Sequence, residues 1–351
     1  MSFIAKPKIN HPDMPKNALG LTARQYEGAM STLCAGCGHD SITAAITQAI
    51  WELAIPPERI AKMSGIGCSS KTTAYFVGNA HGINSVHGRM PAVATGANVA
   101  NRELYYIGVS GDGDTLSIGL GQFAHTIRRN LDMLYVIENN GVYGLTKGQF
   151  SASADLGSKA KRGEVNSFAP IDPVLFGMSL GASFVARGFS GDKGQLVPLL
   201  KAGLMHEGFA LIDVISPCVT FNDHEGSTKS YAHTRKYSTQ VISADYVPRA
   251  ESITVTYEPG TAIPVQMHDG STVVLHKVAA DYDPTDRSKA LGYLQEHRAK
   301  GEIVTGLLYM EENRPDFHGT VNSAATPLVN LPMEKLIPGD AALRELQKDY
   351  A

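Results

Sequence analysis

No apolar run in the chain approaches the roughly 18 residues that a membrane-spanning helix needs. The opening stretch, MSFIAKPKINHPDMPKNALG, likewise lacks the apolar core of a secretory signal. The two absences predict a cytoplasmic protein with no membrane contact. Basic charge is not in excess either: 31 Lys and Arg stand against 34 Asp and Glu, a net charge of -3, which speaks against a polyanion-binding surface and so against nucleic acid. There is no Ser/Gly or Pro-rich linker, no low-complexity tract and no repeat at a period of about 20–50 residues, so nothing marks a clean cut between large domains. Cysteine is scarce. Only Cys34, Cys37, Cys68 and Cys218 are present, and in a reducing compartment they should be thiols, with the C-x-x-C pair pointing to metal or redox chemistry rather than to a disulfide.

What is abundant is hydrophobic residues, 43% of 351, and glycine, 35 in all, enough for a large core joined by tight loops. DSITAAITQAIWEL (40–53) has helical spacing behind an aspartate that can cap it. LYYIGVS (104–110) and DMLYVIE (132–138) read as buried strands flanking a helix over 115–130, a β-α-β unit. A helix over 193–208 and a strand over 209–216 repeat the alternation. The expected class is α/β, with an open, mainly parallel sheet, helices on both faces and a C-terminal appendage. The expected division is an N-terminal arm, 1–23, a main domain, 24–234, and an extension, 235–351, in which a helix and a strand follow each other over 283–310 and HDG (268–270) turns a hairpin.

The first strand of the β-α-β unit runs into GDGD (111–114) and the second into ENNG (138–141). In an open parallel sheet, ligands gather where strands end and helices begin. Gly111 and Gly113 admit close backbone approach, and the helix after them offers free N–H groups to a diphosphate. Asp112 repels phosphate unless a hard divalent cation stands between them. Mg²⁺ is such an ion, with Asn140 and the Val142 carbonyl as further oxygen ligands. The loop NNGVYGLTKGQ (139–149) is then free of bulk because its main chain must wrap around the metal and the diphosphate.

The pair G-D-G and N-N at this spacing resembles the signature of thiamine diphosphate enzymes. Within that class, L-C-A-G-C-G-H (33–39), G-I-G-C-S-S-K (65–71), S-P-C (216–218), H-G-R (87–89), Y-G-L-T-K-G-Q (143–149) and F-V-A-R (184–187) resemble the β subunit of 2-oxoacid:ferredoxin oxidoreductases over residues 24–225. The resemblance implies thiamine diphosphate held through Mg²⁺ on Asp112, Asn140 and Val142, and one [4Fe–4S] cluster on Cys34, Cys37, Cys68 and Cys218. Four thiolates by themselves suit zinc as well. It implies cofactor contacts from Gly36, Ile66, Gly67, His87, Gly111, Asp112, Gly113, Asp114, Asn140, Val142, Gly144, Leu145 and Thr146. It also implies a separate α subunit with the aminopyrimidine half of the site, an α2β2 assembly, ferredoxin as electron acceptor, and a 2-oxoacid and coenzyme A as substrates.

Leu145 and Lys147 match positions associated with substrate choice. The lysine resembles forms that take 2-oxoglutarate to succinyl-CoA and CO₂, because an ammonium can pair with the second carboxylate. Lys71, His39 and Arg89 are further candidates for substrate or phosphate contact. The alternatives are a pyruvate-using or broad-specificity relative, a non-redox thiamine diphosphate decarboxylase with structural zinc, and a non-catalytic subunit. The basic run KAKR (159–162) reads as a solvated loop rather than a ferredoxin dock.

Overall fold

Continuous apolar runs become strands that are buried on both sides. In the computed structural model, which describes residues 11–160, 163–240, 262–266, 272–276, 282–337 and 339–350, the strands are β1 Ile60–Ser64, β2 His81–Asn84, β3 Tyr105–Gly111, β4 Met133–Asn139, β5 Val142–Tyr143, β6 Gln149–Phe150, β7 Phe184–Phe189, β8 Phe209–Ile215, β9 Ser238–Gln240, β10 Ala262–Gln266, β11 Thr272–His276 and β12 Ile303–Met310. Eight of them form one sheet in the order β2-β1-β3-β4-β8-β7-β12-β9. The first six of that order pair in parallel; β12 runs antiparallel to β7, and β9 is parallel to β12.

Alternate residues of a strand face opposite sides, and here each side has its own core. Leu134 and Val136 of β4 join Ala210, Ile212 and Val214 of β8 on one face. Met133, Tyr135 and Ile137 join Phe209 and Leu211 on the other. Helices α1 (Gly38–Glu52) and α6 (Lys193–Met205) cover the first face, packed on each other. The second is covered by α3 (Met90–Ala100), α4 (Leu120–Arg128), α5 (Pro173–Ser179) and α8 (Arg287–Ala299); the short α2 (Cys68–Thr72) and α7 (Tyr231–Tyr237) lie in connecting loops. Every such buried aliphatic side chain contributes roughly 1.5–3 kcal/mol, so the two-sided core fixes where the strand ends point.

Three expectations need adjustment. The helix expected over 115–130 begins instead as one wide, π-type turn, Gly113–Ile118, and only then becomes α4. The cause is a close crossing of two backbones: a Cβ on Gly88, whose φ is +68°, would lie 2.6 Å from Gly119 N. The helix and strand expected in the C-terminal extension both exist, but they belong to the main sheet and its second core, where Val304, Leu308 and Leu294 are buried. The arms of the expected hairpin, β10 and β11, pair antiparallel, while its HDG turn lies outside the described residues, as do Lys161 and Arg162 of the basic run. No described helix is long and apolar enough to cross a membrane.

Candidate cofactor cleft and thiol nest

The register of the parallel sheet sets Gly111 of β3 beside Glu138 of β4, so the two polar strand ends sit together. Around them a cleft of about 440 Å³ opens, walled by Ile66 and Gly67 after β1, Asp112 and Gly113 after β3, and Asn140 and Val142 after β4. Asp112 is buried and gathers three donors on one oxygen: Oδ2 accepts from Gly141 N at 2.9 Å, from Ser153 Oγ at 2.5 Å and from Ser151 Oγ. Asn140 Oδ1 accepts from Val142 N at 3.0 Å, and its backbone carbonyl accepts from Asn222 Nδ2 at 2.8 Å. Gly141 has φ +76°, and a Cβ there would stand 2.7 Å from that same amide nitrogen, so no larger residue fits. The Tyr143 hydroxyl donates to Gly113 O at 2.9 Å, closing the loop over the cleft.

Asp114, also buried, binds protein rather than open space. Its Oδ1 accepts from Gly88 N at 2.8 Å and lies 3.3 Å from His87 Nδ1, and Oδ2 accepts from Ser110 Oγ at 2.8 Å. It fastens the loop after β2 to the end of β3. At the base of the cleft, His39 Nδ1 meets Ser216 Oγ at 2.6 Å, and burial lowers the imidazole to about 4, so it is neutral at physiological pH. Glu138 is fully buried and neither of its carboxyl oxygens has a hydrogen-bond partner. Burial pushes that carboxyl well above the usual carboxylate range, and its Oε2 lies 3.6 Å from His39 Nδ1.

Behind the cleft lie the four cysteines, all free thiols. Cys37 caps α1, Cys68 opens α2 after Gly67 (φ +151°), and Cys218 follows β8 across Ser216 and Pro217. A Cβ on Gly144 would lie 3.4 Å from Cys68 Sγ and 3.8 Å from Cys218 Sγ, and Thr220 Oγ1 is 3.5 Å from Cys34 Sγ. Burial pushes the Cys37 thiol up to about 12 and raises Cys68 and Cys218 as well, with Cys218 adding to the rise at Cys68. Thiols that repel one another once ionised need a compensating positive core, and a set of four sulfurs, three half-buried and Cys34 exposed, suits an iron-sulfur cluster or zinc. Among the described residues, no group of three or more His, Cys, Asp and Glu side chains is placed to hold a single metal ion. The donors available to a cation in the cleft are one carboxylate, one amide and the main chain, which fits Mg²⁺.

Of the residues singled out from the sequence, His39, Ile66, Gly67, Cys68, His87, Gly111, Asp112, Gly113, Asp114, Asn140, Val142, Gly144, Leu145 and Thr146 wall the cleft. Lys147, Lys71, Arg89 and Gly36 do not. Lys147 is exposed, at φ +80° in a tight turn closed by Lys147 N to Gly144 O at 3.1 Å. Lys71 lies on α2 and its charge opposes the rise of the Cys68 thiol; Arg89 is half-buried before α3, its Nη1 without a partner. Gly36, at φ +80°, belongs to the cysteine loop. Ser69, Glu138 and Tyr143 line the cleft, and Ser151 and Ser153 hold Asp112. Ser69, Glu138 and Tyr143 lie inside the quoted motifs GIGCSSK, ENNG and YGLTKGQ without being singled out there, and the polar break in FSASAD (150–155) is the signal for the other two.

Residues 65–214 match the family described as thiamine pyrophosphate enzyme, C-terminal TPP binding domain, and residues 273–326 match the C-terminal family of the pyruvate ferredoxin oxidoreductase beta subunit. The chain is 43% identical over 207 residues to the 2-oxoacid:ferredoxin oxidoreductase subunit beta of Saccharolobus solfataricus, covering 58% of this chain and 67% of that one. To 2-oxoacid:ferredoxin oxidoreductase 1, subunit beta, of Aeropyrum pernix it is 41% identical over 246 residues, 67% of this chain and 76% of the relative. Among solved structures, a 2-oxoglutarate:ferredoxin oxidoreductase from Magnetococcus marinus, with 2-oxoglutarate, coenzyme A and succinyl-CoA bound, superposes with a TM-score of 0.71 at 28% identity, over 96% of this chain and 99% of that one. A parallel sheet that brings GDGD and NNG to one cleft, with cysteines from three separate loops behind it, is thus matched in sequence along most of its length, and the chain belongs to the β subunits of the 2-oxoacid:ferredoxin oxidoreductases.

Proposed function

We propose that this β subunit binds thiamine diphosphate through Mg²⁺ in the cleft between β3 and β4, carries one [4Fe–4S] cluster on Cys34, Cys37, Cys68 and Cys218, and with an α subunit oxidises a 2-oxoacid, 2-oxoglutarate by preference, to an acyl-CoA and CO₂ while reducing ferredoxin. The observation that carries this is the placement of Gly144 in the cleft wall beside Cys68, so close to the thiols that a Cβ on it would lie 3.4 Å from Cys68 Sγ and 3.8 Å from Cys218 Sγ.

When bound, thiamine diphosphate supplies the nucleophilic carbon that attacks the ketone and the electron sink that permits loss of CO₂. The residues of this chain bind and orient. Asp112, Asn140 and the Val142 carbonyl would hold the metal, and the main chain at Gly111–Gly113 leaves room for a diphosphate. Neutral His39 offers a ring nitrogen at the floor without adding charge. Glu138, raised by burial, lines the same cleft 3.6 Å from His39. The thiols of Cys68 and Cys218, one residue's thickness away, put an electron acceptor within short reach, and the partner α subunit would shut the open side in an α2β2 assembly.

The 2-oxoglutarate preference rests on Lys147 and on the Magnetococcus marinus relative named for that substrate. A broad-specificity reading is favoured by one observation, the exposed position of Lys147 outside the cleft wall. The assembled enzyme, purified without oxygen, should reduce ferredoxin with 2-oxoglutarate and coenzyme A, and Lys147→Gly should shift the ratio of kcat/KM values towards pyruvate. An unchanged ratio would refute the substrate assignment. Asp112→Asn should abolish metal-dependent binding of thiamine diphosphate, and retention of that binding would refute the site.

A further inference from the structure

Asp112 stands at one end of a buried chain of hydrogen bonds that starts three strands away. Arg187, on β7, donates through Nε to Asp213 Oδ2 at 2.8 Å and through Nη2 to Asp172 Oδ1 at 2.5 Å. Asn139 Nδ2 donates to Asp213 Oδ1 at 3.0 Å. Because a carboxylate only accepts, this contact orients the amide and turns Asn139 Oδ1 towards Ser153, whose hydroxyl lies 2.8 Å away. Ser153 has one proton, shared between Asn139 Oδ1 and Asp112 Oδ2, and Ser151 Oγ, 3.2 Å from Ser153 Oγ, reaches the same carboxylate oxygen. Arg187, Asp213, Asn139, Ser153, Ser151 and Asp112 are all buried.

We propose that Ser151 and Ser153 are positioning residues for the cation site: they fix the rotation of the Asp112 carboxylate by occupying Oδ2, so that Oδ1 alone is presented to the metal. Every hydroxyl contact goes to Oδ2, and so does the Gly141 N–H. A carboxylate free to turn can clasp a metal with both oxygens, which a small octahedral ion with diphosphate ligands does not accommodate. The arginine at the far end makes the arrangement stiff, since its fork is shared by two carboxylates on different elements. Second-layer hydrogen bonds of this kind usually govern metal affinity by about 10–100-fold.

The inference rests on the reading of Asp112 as a metal ligand, and the test separates the two. In the assembled α and β complex freed of metal, Mn²⁺ is titrated in the presence of thiamine diphosphate, with binding followed by electron paramagnetic resonance and the thermal unfolding of the metal-free complex recorded in parallel. The Ser151→Ala/Ser153→Ala variant should bind Mn²⁺ about tenfold or more weakly, with an altered line shape for the bound ion, while the metal-free complex still unfolds cooperatively, at a temperature lowered by the loss of two buried hydroxyl contacts. Wild-type Mn²⁺ affinity in this variant, while Asp112→Ala loses it, overturns the positioning role and leaves the site standing. Wild-type affinity in Asp112→Ala overturns the site itself. Should the double variant fail to accumulate, Ser151→Ala, which leaves the chain from Arg187 to Ser153 in place, is expected to weaken Mn²⁺ in the same direction by less, and no weakening overturns the proposal.

Discussion

Gly144 and Cys68 meet in the wall of the cleft: both line it, and a Cβ placed on the glycine would reach to 3.4 Å from the cysteine sulfur. Alanine at this position makes a contact the thiol can just tolerate, whereas a branched side chain cannot avoid it. With the proposed cluster on these thiols, Gly144→Ala should match the wild type in visible absorbance and iron content after anaerobic purification, and Gly144→Val should lose most of both. Full iron content in the valine variant would show that the partition is not tight.

Arg187 is buried between Asp172 and Asp213. Burial alone would raise the Asp172 carboxyl, but the guanidinium holds it below the usual carboxylate range, and the two acids together strengthen the hold of Arg187 on its proton. Removing one member of such a group leaves a buried charge without its counter-ion, at about 3–5 kcal/mol. Arg187→Met should therefore lower stability to denaturant by about that much, and adding Asp213→Asn should cost less than the sum of the two single changes.

Around the hollow at the opposite ends of the strands, two groups set opposite pH dependences. Burial lowers His206, whose Nε2 meets Ser183 Oγ at 2.8 Å, to about 4. Between that value and its unfolded value near about 6.5 the unfolded chain binds more protons, so the histidine's contribution is complete above the window and lost as pH falls through it. Asp132 is raised by burial to about 6. From its unfolded value near about 3.9 up to that point the folded chain binds more protons, so stability falls as pH rises. Melting curves across these windows should show a smaller acid loss for His206→Gln than for the wild type. Asp132→Asn should gain stability relative to the wild type as pH rises to neutrality, and parallel curves for either pair would contradict the assignment.

Gly113 faces the Tyr143 ring, and an added Cβ would sit 2.5 Å from its Cε1. The ring must leave for alanine to enter, and the hydroxyl bond to Gly113 O leaves with it. Overpacking of this kind costs about 1–3 kcal/mol, and because Tyr143 belongs to the loop over the cleft, Gly113→Ala should weaken thiamine diphosphate binding as well as lower the melting temperature. Tyr143→Phe, which keeps the ring and removes only the hydroxyl, should weaken binding less.

The parts of this molecule that could be read from the sequence are those where one chemical need fills several adjacent positions. GDGD and ENNG announce a site because glycine, acid and amide crowd together at the ends of apolar runs, and the runs themselves announce two-sided burial. What escaped reading was carried by single residues. Strand β1 contains Lys62, buried with Nζ on the carbonyls of Phe76 and Val77, at 2.8 Å each, a charge that interrupts the short apolar lead into GIGC and hides an interior strand. Strand β2 lies at the sheet edge with all four residues exposed and offers no pattern. Glu138 reads as the last residue of a buried strand, and its pairing with His39, 3.6 Å away on α1, is visible only once that helix is in place. Ser151 and Ser153 act on Asp112 from about 40 positions downstream, a distance across which no periodicity operates.

Strand β12 lies against β7 through pairs such as Gly306 with Arg187, although about 120 residues separate the two in the chain. During synthesis, then, the older strand must wait with one row of amides bare until the younger emerges from the ribosome, and a waiting row of that kind invites strangers. The arginine in FVARGF is a charge that an unrelated strand pairing at this edge would have to bury, which disfavours such pairing.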